Sequence, residues 1–142
     1  SNWLLTDRIS SKIKAMRAKH VMVVADSCFS GKFTRSAITR GLKIKRRSSE
    51  YVPALQRLID KKSRTALTSG GLEPVSDSGG GSHSVFAKVF ISLIEENTGV
   101  LNTQKLFSEL RPRVMKNTRQ TPEHGTIHLA GDDGGDFLFV RQ

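Results

Sequence analysis

Residues 20–31 read His20-Val21-Met22-Val23-Val24-Ala25-Asp26-Ser27-Cys28-Phe29-Ser30-Gly31. From Val21 to Ala25 the run is continuously apolar, rich in valine and bounded by polar residues. That pattern predicts a buried strand of a parallel sheet. In open α/β sheets, ligands gather beyond the carboxyl ends of the strands. Cys28, the only cysteine of the chain, falls at such an end, and Ser30 and Gly31 suit a turn. A thiol in a loop there is a candidate nucleophile. It also reads as an inert buried side chain, because free cysteine is among the most buried residue types. A phosphatase loop fits poorly. Arg35 comes one residue too late after Cys28, and Ser27 stands where that motif has histidine.

The rest of the chain supplies helices for such a strand. Leu5, Ile9, Ile13 and Met16 form one apolar stripe, which predicts a helix over 3–18. Val52, Leu55, Leu58 and Ile59 do the same for 52–62, with Pro53 suited to a first turn. Residues 84–96 carry a wide apolar face of Val85, Val89, Phe90, Leu93 and Ile94, ended by Asn97 and Gly99. A further helix is predicted over 103–115, with Thr103 as N-cap, Leu106, Phe107 and Leu110 buried, and Pro112 kinking or dividing it. Thr65–Thr68 and Phe137–Val140 are the remaining strand candidates. Residues 30–50 lack periodicity and read as a long basic loop, about 32–50. Gly79-Gly80-Gly81 reads as a hinge. The order predicts an α/β sandwich. Three strands are few for four helices, and the chain opens on a helix. The expectation is therefore that strands preceding residue 1 complete a mostly parallel sheet, and that residues 1–142 are part of one domain.

Composition narrows the function classes. One cysteine among 142 residues excludes an internal disulfide framework, and a reducing, cytoplasmic setting is expected. No apolar run approaches the ~18–20 residues of a membrane span, so no membrane partner is expected. The net charge of +10 is uneven: residues 1–71 hold 16 Lys/Arg and 4 Asp/Glu, residues 72–142 hold 7 and 9. The densest basic run, Lys43-Ile44-Lys45-Arg46-Arg47, reads either as a solvated loop or as a contact for nucleic acid or acidic surfaces. With one Trp and one Tyr, no aromatic platform for single-stranded nucleic acid is visible. One cysteine gives no zinc spacing. Asp132, Asp133 and Asp136 are too few and too irregular for a calcium loop and read as a solvated turn. No metal and no cofactor are expected.

Val23-Val24-Ala25-Asp26-Ser27-Cys28-Phe29-Ser30-Gly31 resembles the nucleophile segment of the caspase-like cysteine peptidases, nearest to the metacaspase, paracaspase and bacterial branch with its Asp-x-Cys-x-Ser-Gly motif. Residues 65–77 are similar to that family's strand and loop beside the substrate cleft. Gly81–Phe86 resembles the entry to the next helix. Gln120-Thr121-Pro122 and Gly134-Gly135-Asp136-Phe137 are similar to the family's C-terminal segment. Four segments in order cover most of the chain.

The resemblance implies a caspase-like α/β/α sandwich of which this chain is the C-terminal portion. It implies an endopeptidase acting through a thioester, with Cys28 as nucleophile and its backbone N–H as an oxyanion donor. Ser27 and Gly31 would shape the loop. Branches that cleave after Arg or Lys place a carboxylate two residues before the cysteine, where Asp26 stands. Glu73 or Asp77 would supply a second. A carboxylate pairs with a guanidinium in a bidentate, charge-assisted way. Lys43, Lys45, Arg46 and Arg47 then become possible self-cleavage sites. The chain departs from the family in one respect. The catalytic histidine belongs to a His-Gly segment ahead of the nucleophile strand, and this chain has only His20 there, about five residues of strand (~3.3 Å each) from the active end. His83, His124 and His128 lie in segments that the family does not use for the base. The expected partners are therefore a peptide or protein substrate and an N-terminal half carrying the histidine. Two alternatives stay open: a non-catalytic scaffold or regulatory module of the same fold, and a basic nucleic-acid-binding domain.

Overall fold

The computed structural model describes residues 2–27, 34–37, 49–70 and 83–142, with side chains described from Thr6 onward except at 34–37. The elements in chain order are α1 (Asn2–Ala15), β1 (His20–Ala25), β2 (Thr34–Ala37), α2 (Tyr51–Asp60), β3 (Ser63–Thr68), α3 (Val85–Glu96), β4 (Val100–Asn102), α4 (Thr103–Asn117), β5 (Glu123–Ile127) and β6 (Leu138–Val140). The chain is a mixed α/β protein. No described helix is long and apolar enough to cross a membrane.

The main sheet has the order β1-β3-β5-β2. β1 and β3 run parallel, with His20 opposite Ser63 and Ala25 opposite Thr68. β5 runs antiparallel to both β3 and β2. β4 and β6 form a separate antiparallel pair. The expectation of a mostly parallel sheet is thus corrected: among the described strands one pairing is parallel and three are antiparallel. The difference comes from β5, which the sequence pattern left unread and which enters the sheet beside β3. β2 likewise interrupts the stretch read as a loop over 32–50, and the residues around it, including Lys43, Lys45, Arg46 and Arg47, lie outside the described residues.

Alternation along the strands sends side chains to two cores. On one face Leu67 packs with Phe86, Leu93, Leu101, Leu106, Leu110 and Val114, joined by Met22, Val89, Phe90 and Phe107. Helices α3 and α4 supply most of that layer. On the other face Ala66 and Ile127 pack with Ile13 of α1 and with Ala130, joined by Ile9, Val21 and Val23. The sheet is therefore covered on both sides. Its middle strand β3 is buried along its whole length although it reads Ser-Arg-Thr-Ala-Leu-Thr. The hydroxyls of Ser63 and Thr65 find no hydrogen-bond partner among the described residues, and each such group costs about 1–3 kcal/mol.

The helix ends differ from the sequence reading in two places. Asn102, not Thr103, caps α4 by accepting from Lys105 N at 2.8 Å. Pro112 does not divide α4, which continues to Asn117. Thr103 is buried and instead donates to the Asp136 carboxylate and to the Phe137 carbonyl at 3.0 Å. The acidic loop is accordingly not a solvated turn. Asp136 is buried, and Asp132 accepts from Arg64 N at 2.8 Å and from Gly134 N at 3.2 Å. These carboxylates tie the last loop to β3 and α4.

Candidate functional site

Three segment ends meet at the carboxyl edge of the parallel pair. The ladder runs one step past the strands, where Ser69 N donates to the Ala25 carbonyl at 3.1 Å. Asp26 and Ser27 follow β1 at this edge, and both are exposed. Gly70 follows β3 at φ +68°, so close to Thr121 that an added Cβ would stand 1.7 Å from its carbonyl oxygen. Only glycine fits such an approach. It brings Gln120-Thr121-Pro122, which leads into β5, to the same edge.

The N-terminus of α3 completes the arrangement. Ser84 has an extended backbone, and its Oγ accepts from Ala87 N at 3.0 Å as an N-cap. The same hydroxyl donates to Asp26 Oδ2. Asp26 is thereby fixed beside the positive end of the α3 dipole, where a carboxylate is favoured. The structure places the Asp26 side chain in the open. Ser69 is fully buried at this edge, and its Oγ has no hydrogen-bond partner among the described residues.

Of the residues singled out from sequence, Asp26 and Ser27 are described and adjacent. Cys28, Gly31, Glu73 and Asp77 lie outside the described residues. Among the stretches that carry the resemblance, the described parts of 23–31, 65–77, 81–86 and 120–122 reach this edge. The last, Gly134–Phe137, sits at the other end of the strands, where Gly135 N donates to the Lys62 carbonyl at 3.1 Å and Asp136 N to the Leu58 carbonyl at 3.2 Å. The histidines separate in the same way. His20 opens β1 at the far end, with its Nε2 3.1 Å from the Lys61 carbonyl. His128 follows β5 at that far end. His124 is buried with its ring 5.6 Å from that of Phe107. His83 is exposed and immediately precedes the α3 cap, at the Asp26 edge. No described cluster of His, Cys, Asp and Glu could hold a metal ion.

Sequence reasoning missed Ser84 and Gly70 as parts of this edge. Ser84 carries a signal, since a serine just before an apolar helical run is a cap. Its second bond to Asp26 has none, because 58 residues separate the two. Gly70 carries only the generic signal of a glycine at a strand end. A groove along α4, lined among the described residues by Gln104, Phe107, Ser108, Arg111, Pro112, Met115 and Lys116, includes none of the predicted site residues. Comparison with protein-family models, with curated proteins and with solved structures finds no match to this chain.

Proposed function

We propose that this chain is the C-terminal portion of a caspase-like cysteine endopeptidase that cleaves after Arg or Lys. The observation that carries this reading is the sequence Asp26-Ser27-Cys28-Phe29-Ser30-Gly31 standing directly after a strand that runs parallel to its neighbour. The convergence of 69–70, 83–84 and 120–122 on that strand end supports it. Asp26 is exposed, and among the described residues only Ser84 bonds its carboxylate, which suits it to meet a guanidinium or ammonium group.

The chemistry is acyl transfer. The Cys28 thiolate attacks the peptide carbonyl, and the C–N bond breaks as a histidine delivers a proton to the departing amine. A thioester remains, which water then hydrolyses. Backbone N–H groups hold the oxyanion, and loss of one such donor costs on the order of 3 kcal/mol in other enzymes. The histidine of this reading comes from a segment upstream of these residues, as the resemblance implies: His20 and His128 lie at the far end of the sheet, His124 is buried, and His83, although exposed at this edge, falls in a segment that the family does not use for the base.

The test uses two forms. The 142-residue chain, pure and free of other fragments, is expected not to hydrolyse peptide amides. A form extended upstream to include a His-Gly segment is expected to cleave a peptide library after Arg or Lys, and Cys28→Ala is expected to abolish this. Wild type is also expected to cut itself within 40–47, visible by intact mass against Cys28→Ala. A preference for Asp at the cleaved position would sink the Asp26 assignment. Hydrolysis by the isolated chain would move the base to His83, the exposed histidine at this edge.

A further inference from the structure

The end of the sheet opposite Asp26 is organised by a buried cation. Arg64 is 1% exposed. Its guanidinium donates to the carbonyls of Lys19 and Ala18, each at 2.8 Å, of Ser63 at 2.9 Å and of Met16 at 3.2 Å. These bonds fold the end of α1 and the turn after it onto the start of β3, where Ser63 N also donates to the Lys19 carbonyl at 3.0 Å. The loop after β5 is held against the same point. Asp132 accepts from Arg64 N, and Asp133 N donates to the Lys62 carbonyl at 3.0 Å.

Five exposed cations are gathered here as a result: Lys14, Arg17, Lys19, Lys61 and Lys62. Lys14 and Lys61 flank the loop, since a Cβ on Gly131 or Gly134 would stand 3.5 Å from Lys14 Cγ or 3.9 Å from Lys61 Cδ. None of the five has an ion-pair partner among the described residues. The carboxylates nearby are Asp60, which accepts from Gln56, together with Asp132, Asp133 and the buried Asp136. Cations therefore exceed carboxylates.

Two apolar side chains stand among them. Met16 is 48% exposed and Leu129 is 68% exposed. Both border one core contact, for Ile13 packs with Ala130, Met16 N donates to the Ile13 carbonyl at 3.2 Å, and Leu129 directly precedes Ala130. Leu129 is the one described non-glycine residue with positive φ, at 56°. A bulky residue rarely adopts that conformation. Here the strain holds a leucine out in solvent, where it adds little to the core. Such an outlier points toward function.

We propose that this edge is a peripheral docking surface for an anionic lipid bilayer. Leu129 and Met16 enter the interface, and the five cations face the headgroups. Apolar tips at an edge rich in Lys and Arg match a surface that is anionic outside and apolar just beneath. A nucleic acid would engage the cations but leave the apolar pair without a role. Docking of this kind needs no spanning helix, and it stands independently of the peptidase reading. β1, six residues long, would hold the Asp26 edge roughly 20 Å from the bilayer at ~3.3 Å per residue.

The test is co-sedimentation of the purified chain with vesicles of phosphatidylcholine alone or mixed with phosphatidylserine, beside a duplex oligonucleotide. Binding is expected only to the mixed vesicles, weakening as salt rises. Replacing Lys61 and Lys62 by Gln is expected to lower it by about five-fold per charge. Leu129→Gly removes the φ strain, so the variant is expected to be at least as stable as wild type by thermal unfolding, yet to bind roughly ten-fold more weakly. Both losses should persist when Lys43, Lys45, Arg46 and Arg47 are all Gln. Equal binding to neutral vesicles would overturn the proposal, as would a stable Leu129→Gly that binds like wild type. Loss of all vesicle binding with the 43–47 replacements alone would overturn it too. So would duplex binding, without vesicle binding, that depends on Lys61 and Lys62 but not on Leu129.

Discussion

Three glycines allow the two costs of a methyl group to be measured separately. Gly131 has φ +83°, but a Cβ there meets only Lys14 Cγ at 3.5 Å. Gly131→Ala therefore carries the left-handed cost alone, about 1 kcal/mol. Gly135 is not left-handed, but its Cβ would stand 1.9 Å from the Lys61 carbonyl oxygen and 3.0 Å from that of Leu58. Gly135→Ala carries the clash alone. Because both neighbours are backbone, no side chain can swing away, and overpacking of this kind costs about 1–3 kcal/mol or more. Gly70 combines the two, with φ +68° and 1.7 Å to the Thr121 carbonyl oxygen. Gly70→Ala is expected to cost about 3–5 kcal/mol, which lowers the melting temperature by roughly 6–20 °C in a chain of this size. Urea unfolding of the three variants should give the rank Gly131→Ala mildest, Gly135→Ala intermediate and Gly70→Ala worst. If Gly70→Ala unfolds within about 0.5 kcal/mol of wild type, or Gly131→Ala proves the worst of the three, the close approach of residues 70 and 121 is wrong.

Arg64→Lys is expected to destabilise the chain by about 2–3 kcal/mol, because an ammonium cannot span the four carbonyls that the guanidinium fork reaches. Amide exchange in the last turn of α1 should quicken in that variant, and unchanged exchange would contradict the clamp. Ser84→Ala should cost about 1 kcal/mol as a lost N-cap, with Ser84→Thr restoring most of it. In the upstream-extended form, Ser84→Ala should raise KM for Arg substrates more than it lowers kcat. Equal effects on substrates with and without a basic residue would show that Ser84 acts on α3 alone.

β1 is legible as a strand from its five consecutive apolar residues, but it is half-buried rather than buried, with Val24 exposed. β3 was legible only from Thr65 onward, since Ser63 and Arg64 carry no strand signal although both are buried. Arg64 belongs there for a reason that lies 45 residues away, at the Lys19 carbonyl. β5 reads Glu-His-Gly-Thr-Ile, without alternation, and its place beside β3 is set by Gly125 lying opposite Ala66. Pairing of this kind is tertiary, and a window along the chain does not contain it. Asp132 and Asp136 misled in the same way. A Gly-Asp run looks solvated until Arg64 N and Thr103 supply its partners. The helices were read more nearly correctly because their apolar stripes are local, though Val52 turns outward and Ala54 takes the inward position on α2.

Asp26 shows how one residue serves two demands. A carboxylate presents two oxygens and about four lone-pair positions. Ser84 takes one of these on Oδ2 with its single O–H while accepting from Ala87 N. The Asp26 side chain is exposed, so the other oxygen stays open to an incoming cation. The bond to Ser84 therefore restricts the rotation of the carboxylate without filling it. A guanidinium that arrives at such a group finds it already oriented, which lowers the ordering cost of binding. The same bond makes Asp26 a link between β1 and α3. Asp26→Ala should then lower stability as well as any affinity for basic side chains, whereas Asp26→Asn keeps an acceptor for Ser84 and should separate the two. With Asp26→Asn, an unchanged urea midpoint together with lost preference for Arg and Lys would assign the carboxylate charge to recognition. A midpoint that falls as far as that of Asp26→Ala would assign it to the fold.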